Sequence, residues 1–196
     1  MEQTLWAFIL FACITSFTPG PNNYLLLYYG KTFGVRSGVK ILAGILLGFW
    51  TLLLLAGYGM AELIAANETL GWIIKVIGSI WLLYLAWMMS GMSVKQEATP
   101  VKRLTFYQVY MMQFLNPKGW LMAVTAAGTL MPDWGNTHTN VLFFSSFFIL
   151  LGVFSGSLWL SMGELIAKKM RSERVHKWMG YVLSGLMVLS VGMLWS

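Results

Sequence analysis

From Ile41 to Gly57 the chain carries no charged residue and shows none of the apolar–polar alternation of a half-buried strand. A helix built from such a run has no polar face to offer water, so it must lie in protein or in lipid. Five more stretches resemble it. A helix needs about 20 apolar residues to cross a hydrocarbon core about 30 Å thick. Runs near that length fall at 4–28, 38–65, 70–91, 105–131, 139–167 and 177–195. Composition allows no water-facing coat for them. Only 10% of residues are charged and 58% are hydrophobic, whereas a soluble domain carries about 25% charged residues. Lipid satisfies no backbone hydrogen bonds, which selects helices over open strands, and a barrel would need short alternating segments. The sequence predicts an all-α membrane protein, a single transmembrane domain over 1–196 with six transmembrane helices.

The basic residues give direction. Lys31, Arg36 and Lys40 separate the first two runs; Lys95, Lys102 and Arg103 separate the third and fourth; Lys168, Lys169, Arg171, Arg174 and Lys177 separate the last two. These are eleven of the thirteen basic residues, all on one side of a six-span chain, which marks that side as cytoplasmic. Both termini are then expected outside. A net charge of +6 raises the question of nucleic acid, but a topology signal accounts for every basic cluster, and no nucleic-acid partner is expected. The N-terminal run has Glu2 where a signal peptide needs basic residues, so it is expected to stay in the mature protein. Cys13 has no partner for an internal disulfide and reads as packing filler.

The two halves of the chain resemble each other. Met60-Ala61-Glu62-Leu63-Ile64-Ala65 matches Met162-Gly163-Glu164-Leu165-Ile166-Ala167 in all but one position, and Leu46-Leu47-Gly48-Phe49 resembles Leu150-Leu151-Gly152-Val153. Each half reads as a broken helix, a long helix and a short glycine-containing one, over about 1–91 and 105–196. Three spans per half is an odd number, so the second repeat enters the membrane in the opposite sense. Inverted repeats of this kind place a substrate site near the midplane, between broken helices.

The breaks are Pro19-Gly20-Pro21-Asn22-Asn23 in span one, just after Thr18, and Asn116-Pro117-Lys118 in span four. Proline in a helix interior removes a donor and clashes with the preceding turn, costing about 3 kcal/mol. The freed backbone groups need protein or a wet cavity. Asn22 and Asn23 supply amides there, either for a ligand or for the kink itself. Lys118 stands near mid-span, where a cation costs at least about 2.5–3.5 kcal/mol. Its partner is a substrate carboxylate, water, or the freed carbonyls of span one. These eight residues, Pro19 to Asn23 and Asn116 to Lys118, form the candidate substrate site. Tyr24, Tyr28 and Trp120 flank the breaks as candidate lining, although most aromatic residues in so aromatic a chain only pack. Glu62 and Glu164 near span ends read as gate or proton-linked groups, or as partners of nearby loop cations. Lys75 is expected to snorkel.

Enzyme signatures are missing: there is no H-E-x-x-H, G-x-S-x-G, Walker loop, dinucleotide fingerprint or Cys-x-x-Cys. Asp133 and His138 in the outer loop are too few for a metal site, and His176 is expected across the membrane from His138. No cofactor is expected. The alternatives are a carrier with alternating access and a channel or permease for ions or other small solutes. A homo-oligomer is compatible with the sequence.

The pattern resembles the LysE/RhtB family of amino-acid exporters. Thr18 to Asn23 is the strongest carrier of the resemblance, followed by Gly34-Val35-Arg36-Ser37-Gly38, Gly44 and Gly48, Gly78 to Leu85, and Asn116-Pro117-Lys118. The resemblance implies six spans in a bacterial cytoplasmic membrane and proton-driven efflux of amino acids or their derivatives. Many members have aspartate where this chain has Asn22, which shifts the expected substrate toward neutral amino acids. Backbone carbonyls at the span-one break then become the expected holders of the substrate amine.

Overall fold

The computed structural model describes residues 2–60, 66–90, 103–131, 133–169 and 172–195. Among them every regular element is helical. We number the helices α1 (Glu2–Phe17), α2 (Pro21–Leu55), α3 (Glu68–Ser90), α4 (Phe106–Met112), α5 (Pro117–Thr125), α6 (Thr137–Lys169) and α7 (Glu173–Trp195). A 3-10 turn, Gln113–Leu115, joins α4 to α5, and wide turns at Ala56–Met60 and Ala126–Leu130 extend α2 and α5. Three of these helices are long and apolar enough to cross a bilayer: Pro21–Gly59, Gly71–Ser90 and Thr137–Lys169.

Helix α2 is a hairpin. Its one residue outside helical geometry is Gly34, at φ 77° and ψ 165°. The neighbours of the two arms pair in register around that point. Gly30 and Gly38 both meet Leu160, Leu26 and Leu42 both meet Gly156, and Gly34 faces the Glu164 carboxylate. The arms therefore run antiparallel and lie together along α6. The sequence predicts a loop from about residue 29 to 37. That expectation is corrected: Lys31 and Arg36 are helical, because one residue with positive φ suffices to reverse the chain. An alanine methyl at Gly34 would meet Glu164 Oε2 at an ordinary 3.6 Å. Strain is then the whole effect of Gly34→Ala, of order 1–3 kcal/mol for that backbone region. A lowered thermal midpoint in detergent is expected, and an unchanged midpoint would contradict the hairpin geometry.

Glu164 completes the reversal. Its Oε2 accepts from Val35 N at 2.5 Å, the first amide of the second arm, and its Oε1 pairs with Lys168 one turn along α6. A carboxylate at a helix N-terminus meets both an orphan donor and the positive end of the dipole. Of the roles the sequence offers Glu164, cation pairing is the one seen. Glu62 lies outside the described residues.

Two apolar clusters fill the interior. One gathers Leu25, Tyr28, Tyr29, Leu85, Met89 and Met187 about the hairpin. The other joins Phe8, Leu52, Trp120, Ala123, Phe144 and Phe148. Helices α3 and α7 pack on each other beside this bundle, with Lys75 Nζ 6.0 Å from the Trp195 ring. Helix α4 begins with a capping box: Gln108 N donates to Thr105 Oγ1 at 3.2 Å, and Thr105 N donates to Gln108 Oε1 at 2.8 Å.

Candidate substrate site

The two proline breaks meet between the apolar clusters. Pro21 takes the first position of α2 and Pro117 the first position of α5. A missing N–H costs nothing at that position, because the first amides of a helix have no intrahelical acceptor. Each proline thus starts a new helix rather than kinking an old one. Gly20 and Asn116, just before the prolines, are extended, and their carbonyls accept the first bond of each new helix, from Tyr24 N at 2.9 Å and Trp120 N at 3.1 Å.

Lys118 crosses from one break to the other. Its Nζ donates to Thr18 O at 3.0 Å and Pro19 O at 3.4 Å. Gly20 makes room for it: a Cβ there would stand 2.9 Å from Lys118 Cδ and 3.0 Å from Nζ. Asn23 Nδ2 donates to Thr18 O at 3.0 Å and to Ser16 O at 3.2 Å, and Ser155 Oγ on α6 also donates to Ser16 O at 2.7 Å. The backbone broken before Pro21 is thereby tied to α5 through Lys118, to α6 through Ser155 and to the start of α2 through Asn23.

Asn22 faces the other way. Its Nδ2 donates to Gln113 Oε1 at 2.8 Å, and Gln113 Nε2 donates back to Asn22 Oδ1 at 3.3 Å and to Val109 O at 3.1 Å. Gln113 is fully buried. Sequence reasoning passed over it, although an uncharged polar side chain four residues before Pro117 in an apolar segment carries the same signal as Lys118 in weaker form.

A cavity of about 70 Å³ opens at this junction. Gly20, Pro21, Asn22, Asn23, Asn116 and Lys118 line it, so six of the eight sequence-derived candidates converge there. Pro19 enters through its carbonyl, and Pro117 through its place in the backbone. The rest of the wall is largely apolar, including Leu26, Leu42, Ile45, Phe49, Met122 and Phe148. No Asp or Glu is among the described lining residues. That is several times the roughly 10–15 Å³ a cavity needs to hold one water, so the space can admit a small polar group.

Of the two readings for Tyr24, Tyr28 and Trp120, lining and packing, packing is the one seen. Tyr24 meets Trp159 edge-on at 6.2 Å, Tyr28 packs on Tyr29 and Phe33, and Trp120 Nε1 donates to Phe114 O at 2.8 Å. They neighbour the breaks in sequence but project from other faces of their helices. Between the end of α2 and the start of α6, Tyr58 and His138 share a hydrogen bond of 3.0 Å, while Asp133 accepts from Gly135 N and Asn140 Nδ2.

The family model of the LysE type translocator matches residues 13–195, a span that includes both breaks and all of α2 to α7. Cysteine/O-acetylserine efflux proteins of Escherichia coli strain K12, Escherichia coli O1:K1 and Shigella sonnei strain Ss046 are each 31% identical over 171 residues. That alignment covers 85% of this chain and 86% of each relative. No solved structure matches. The match along nearly the whole chain joins the two breaks and the lysine between them to one group of proteins: this chain belongs to the LysE family of translocators, which are transporters and not enzymes.

Proposed function

We propose that this protein exports small neutral amino acids or their derivatives across a bacterial cytoplasmic membrane, drawing on the proton gradient. The observation that carries the reading is Lys118, an ammonium inside an apolar bundle, held over a cavity by two carbonyls of the opposing break. An ammonium has three donors. Two rest on Thr18 O and Pro19 O, which leaves one for a ligand. A carboxylate entering the cavity is a stronger acceptor than either carbonyl. Binding it draws Nζ away from the span-one break and loosens the tie between the two broken helices. Substrate binding and helix movement are coupled through that exchange. The efflux activity named for the relatives supports the outward direction, and the lack of a carboxylate among the described lining residues supports neutral substrates.

In this reading the chain makes six crossings as two inverted three-helix repeats. The first crossing is α1 with the first arm of α2, and the second is the other arm. The third is α3, the fourth α4 with α5, and the last two are α6 and α7. The reversal at Gly34 supports separate first and second crossings. The distribution of basic residues supports a cytoplasmic Gly34 and external termini. Glu164, capping the second arm near that face, is the group best placed to link a proton to opening. One charge moved across 100 mV is worth about 2.3 kcal/mol, enough to sustain a steep outward gradient.

Reconstituted protein in liposomes, loaded with a labelled panel of amino acids, tests this. Efflux of a restricted set of small neutral amino acids, accelerated by an imposed proton gradient, is expected. No efflux of any amino acid from folded protein would overturn the substrate reading. Conductance far above carrier turnover would replace the carrier with a channel.

A further inference from the structure

Asn116 is an N-cap residue whose side chain caps nothing. It precedes α5 with extended backbone angles, φ −85° and ψ 105°. In that setting an asparagine side chain ordinarily accepts from the amide of the second or third helical residue. Here it makes no such bond. The residue is 7% exposed, its Oδ1 has no hydrogen-bond partner, and it borders the cavity. A buried acceptor left empty when a local donor is at hand is an unfavourable arrangement. It becomes favourable once a ligand brings the donor.

Two carbonyls near the span-one break are fully engaged in the ligand-free structure. Ser16 O accepts from Asn23 and Ser155, and Thr18 O accepts from Asn23 and Lys118, so both lone pairs of each carbonyl are used. Asn22 and Gln113 satisfy each other. In the ligand-free structure these bonds leave Asn116 Oδ1 as the buried side-chain acceptor beside the break with no partner, among the described residues.

We propose that Asn116 Oδ1 receives a hydrogen bond from the α-ammonium of the transported amino acid, while Lys118 holds its carboxylate. Two residues from one break would then read the part common to all amino acids. The apolar wall of Leu26, Leu42, Ile45, Phe49, Met122 and Phe148 would be left to the side chain. An amide oxygen identifies an ammonium without the grip of a carboxylate, which suits a site that must release its cargo. The inference rests on the amino-acid transport reading and specifies one subsite within it.

The test compares L-cysteine with 3-mercaptopropionate, the same molecule without its amine, as competitors for efflux from proteoliposomes kept under reductant. Wild-type protein is expected to prefer cysteine by about tenfold to a hundredfold, the range of one buried hydrogen bond to a charged group. Asn116→Leu, of similar size without the acceptor, is expected to bring the two competitors to near parity. Asn116→Asp keeps an acceptor and is expected to keep the preference. Folded Asn116→Leu with an undiminished cysteine preference overturns the assignment. So does folded Asn116→Asp that has lost it, which keeps the idea testable should the leucine variant not fold. Failure of wild-type protein to move any amino acid is a different result: it removes the transport reading, and this subsite falls with it.

Discussion

Lys118→Met is expected to lower transport by roughly 10- to 150-fold while leaving a folded protein in the membrane. The range is that of a hydrogen bond to a charged group, about 1.5–3 kcal/mol, at about 1.4 kcal/mol per tenfold. Folding should survive because two contributions oppose each other. The variant loses the bonds to Thr18 O and Pro19 O, but it no longer holds an ammonium out of water, and the desolvation of a buried charge can match the bonds it makes. Thr18 O keeps the bond from Asn23. Lys118→Arg separates charge from seat. The lysine chain lies within 2.9 Å of where a Gly20 Cβ would be, so a guanidinium restores the charge without fitting the place. Transport between that of Lys118→Met and wild type is expected. Efflux assays on protein matched for thermal midpoint measure both variants. Wild-type rate and KM in Lys118→Met would end the role of Lys118 as carboxylate holder.

How far the site was legible in sequence depends on whether each signal is local. Pro19, Pro21 and Pro117 announce helix starts because a missing N–H is a property of the residue itself, and Lys118 stands out because a cation in an apolar run is costly wherever it points. Those signals located the cavity. Which side chains turn into it is a matter of helix rotation and of the partner helix. The sequence therefore leaves Tyr24, Tyr28 and Trp120 open between wall and packing, and they pack in the cores. Gln113 escaped notice because a lone amide is a weaker anomaly than a charge. The hairpin escaped notice for a different reason. Basic residues on both sides of Gly34 look like a loop, yet Lys31 and Arg36 continue helices. Only the paired approaches of Gly30 and Gly38 to Leu160, and of Leu26 and Leu42 to Gly156, reveal the reversal. The bond from Val35 N to Glu164 spans 129 residues, and no local pattern encodes it.

The largest loss of stability is expected from filling the crossing of the hairpin with α6. Gly30 and Gly163 let the two backbones touch. A Cβ at Gly163 would overlap Leu27 O and stand 2.7 Å from Lys31 N, and one at Gly30 would overlap Leu160 O and stand 2.9 Å from Leu160 C. Ordinary overpacking costs about 1–3 kcal/mol because side chains can shift. Here the obstacle is main chain held within helices, so the hairpin and α6 must separate. Close backbone approach through small residues is also what substitutes, between apolar helices in lipid, for the missing hydrophobic drive. Their separation would free Glu164 from Val35 N and Ser155 from Ser16 O, undoing the cap and one tie of the break together. Gly30→Val and Gly163→Val are each expected to exceed that range and to abolish the monodisperse, cooperatively melting species. Gly128→Ala, whose Cβ would have nothing within 4 Å, is expected to behave as wild type. Size-exclusion profiles and thermal unfolding in detergent read all three. A Gly30→Val protein that melts at the wild-type temperature would mean that the hairpin does not sit against α6 at this distance. The coupling from Glu164 through the crossing to the cavity would then lose its physical path.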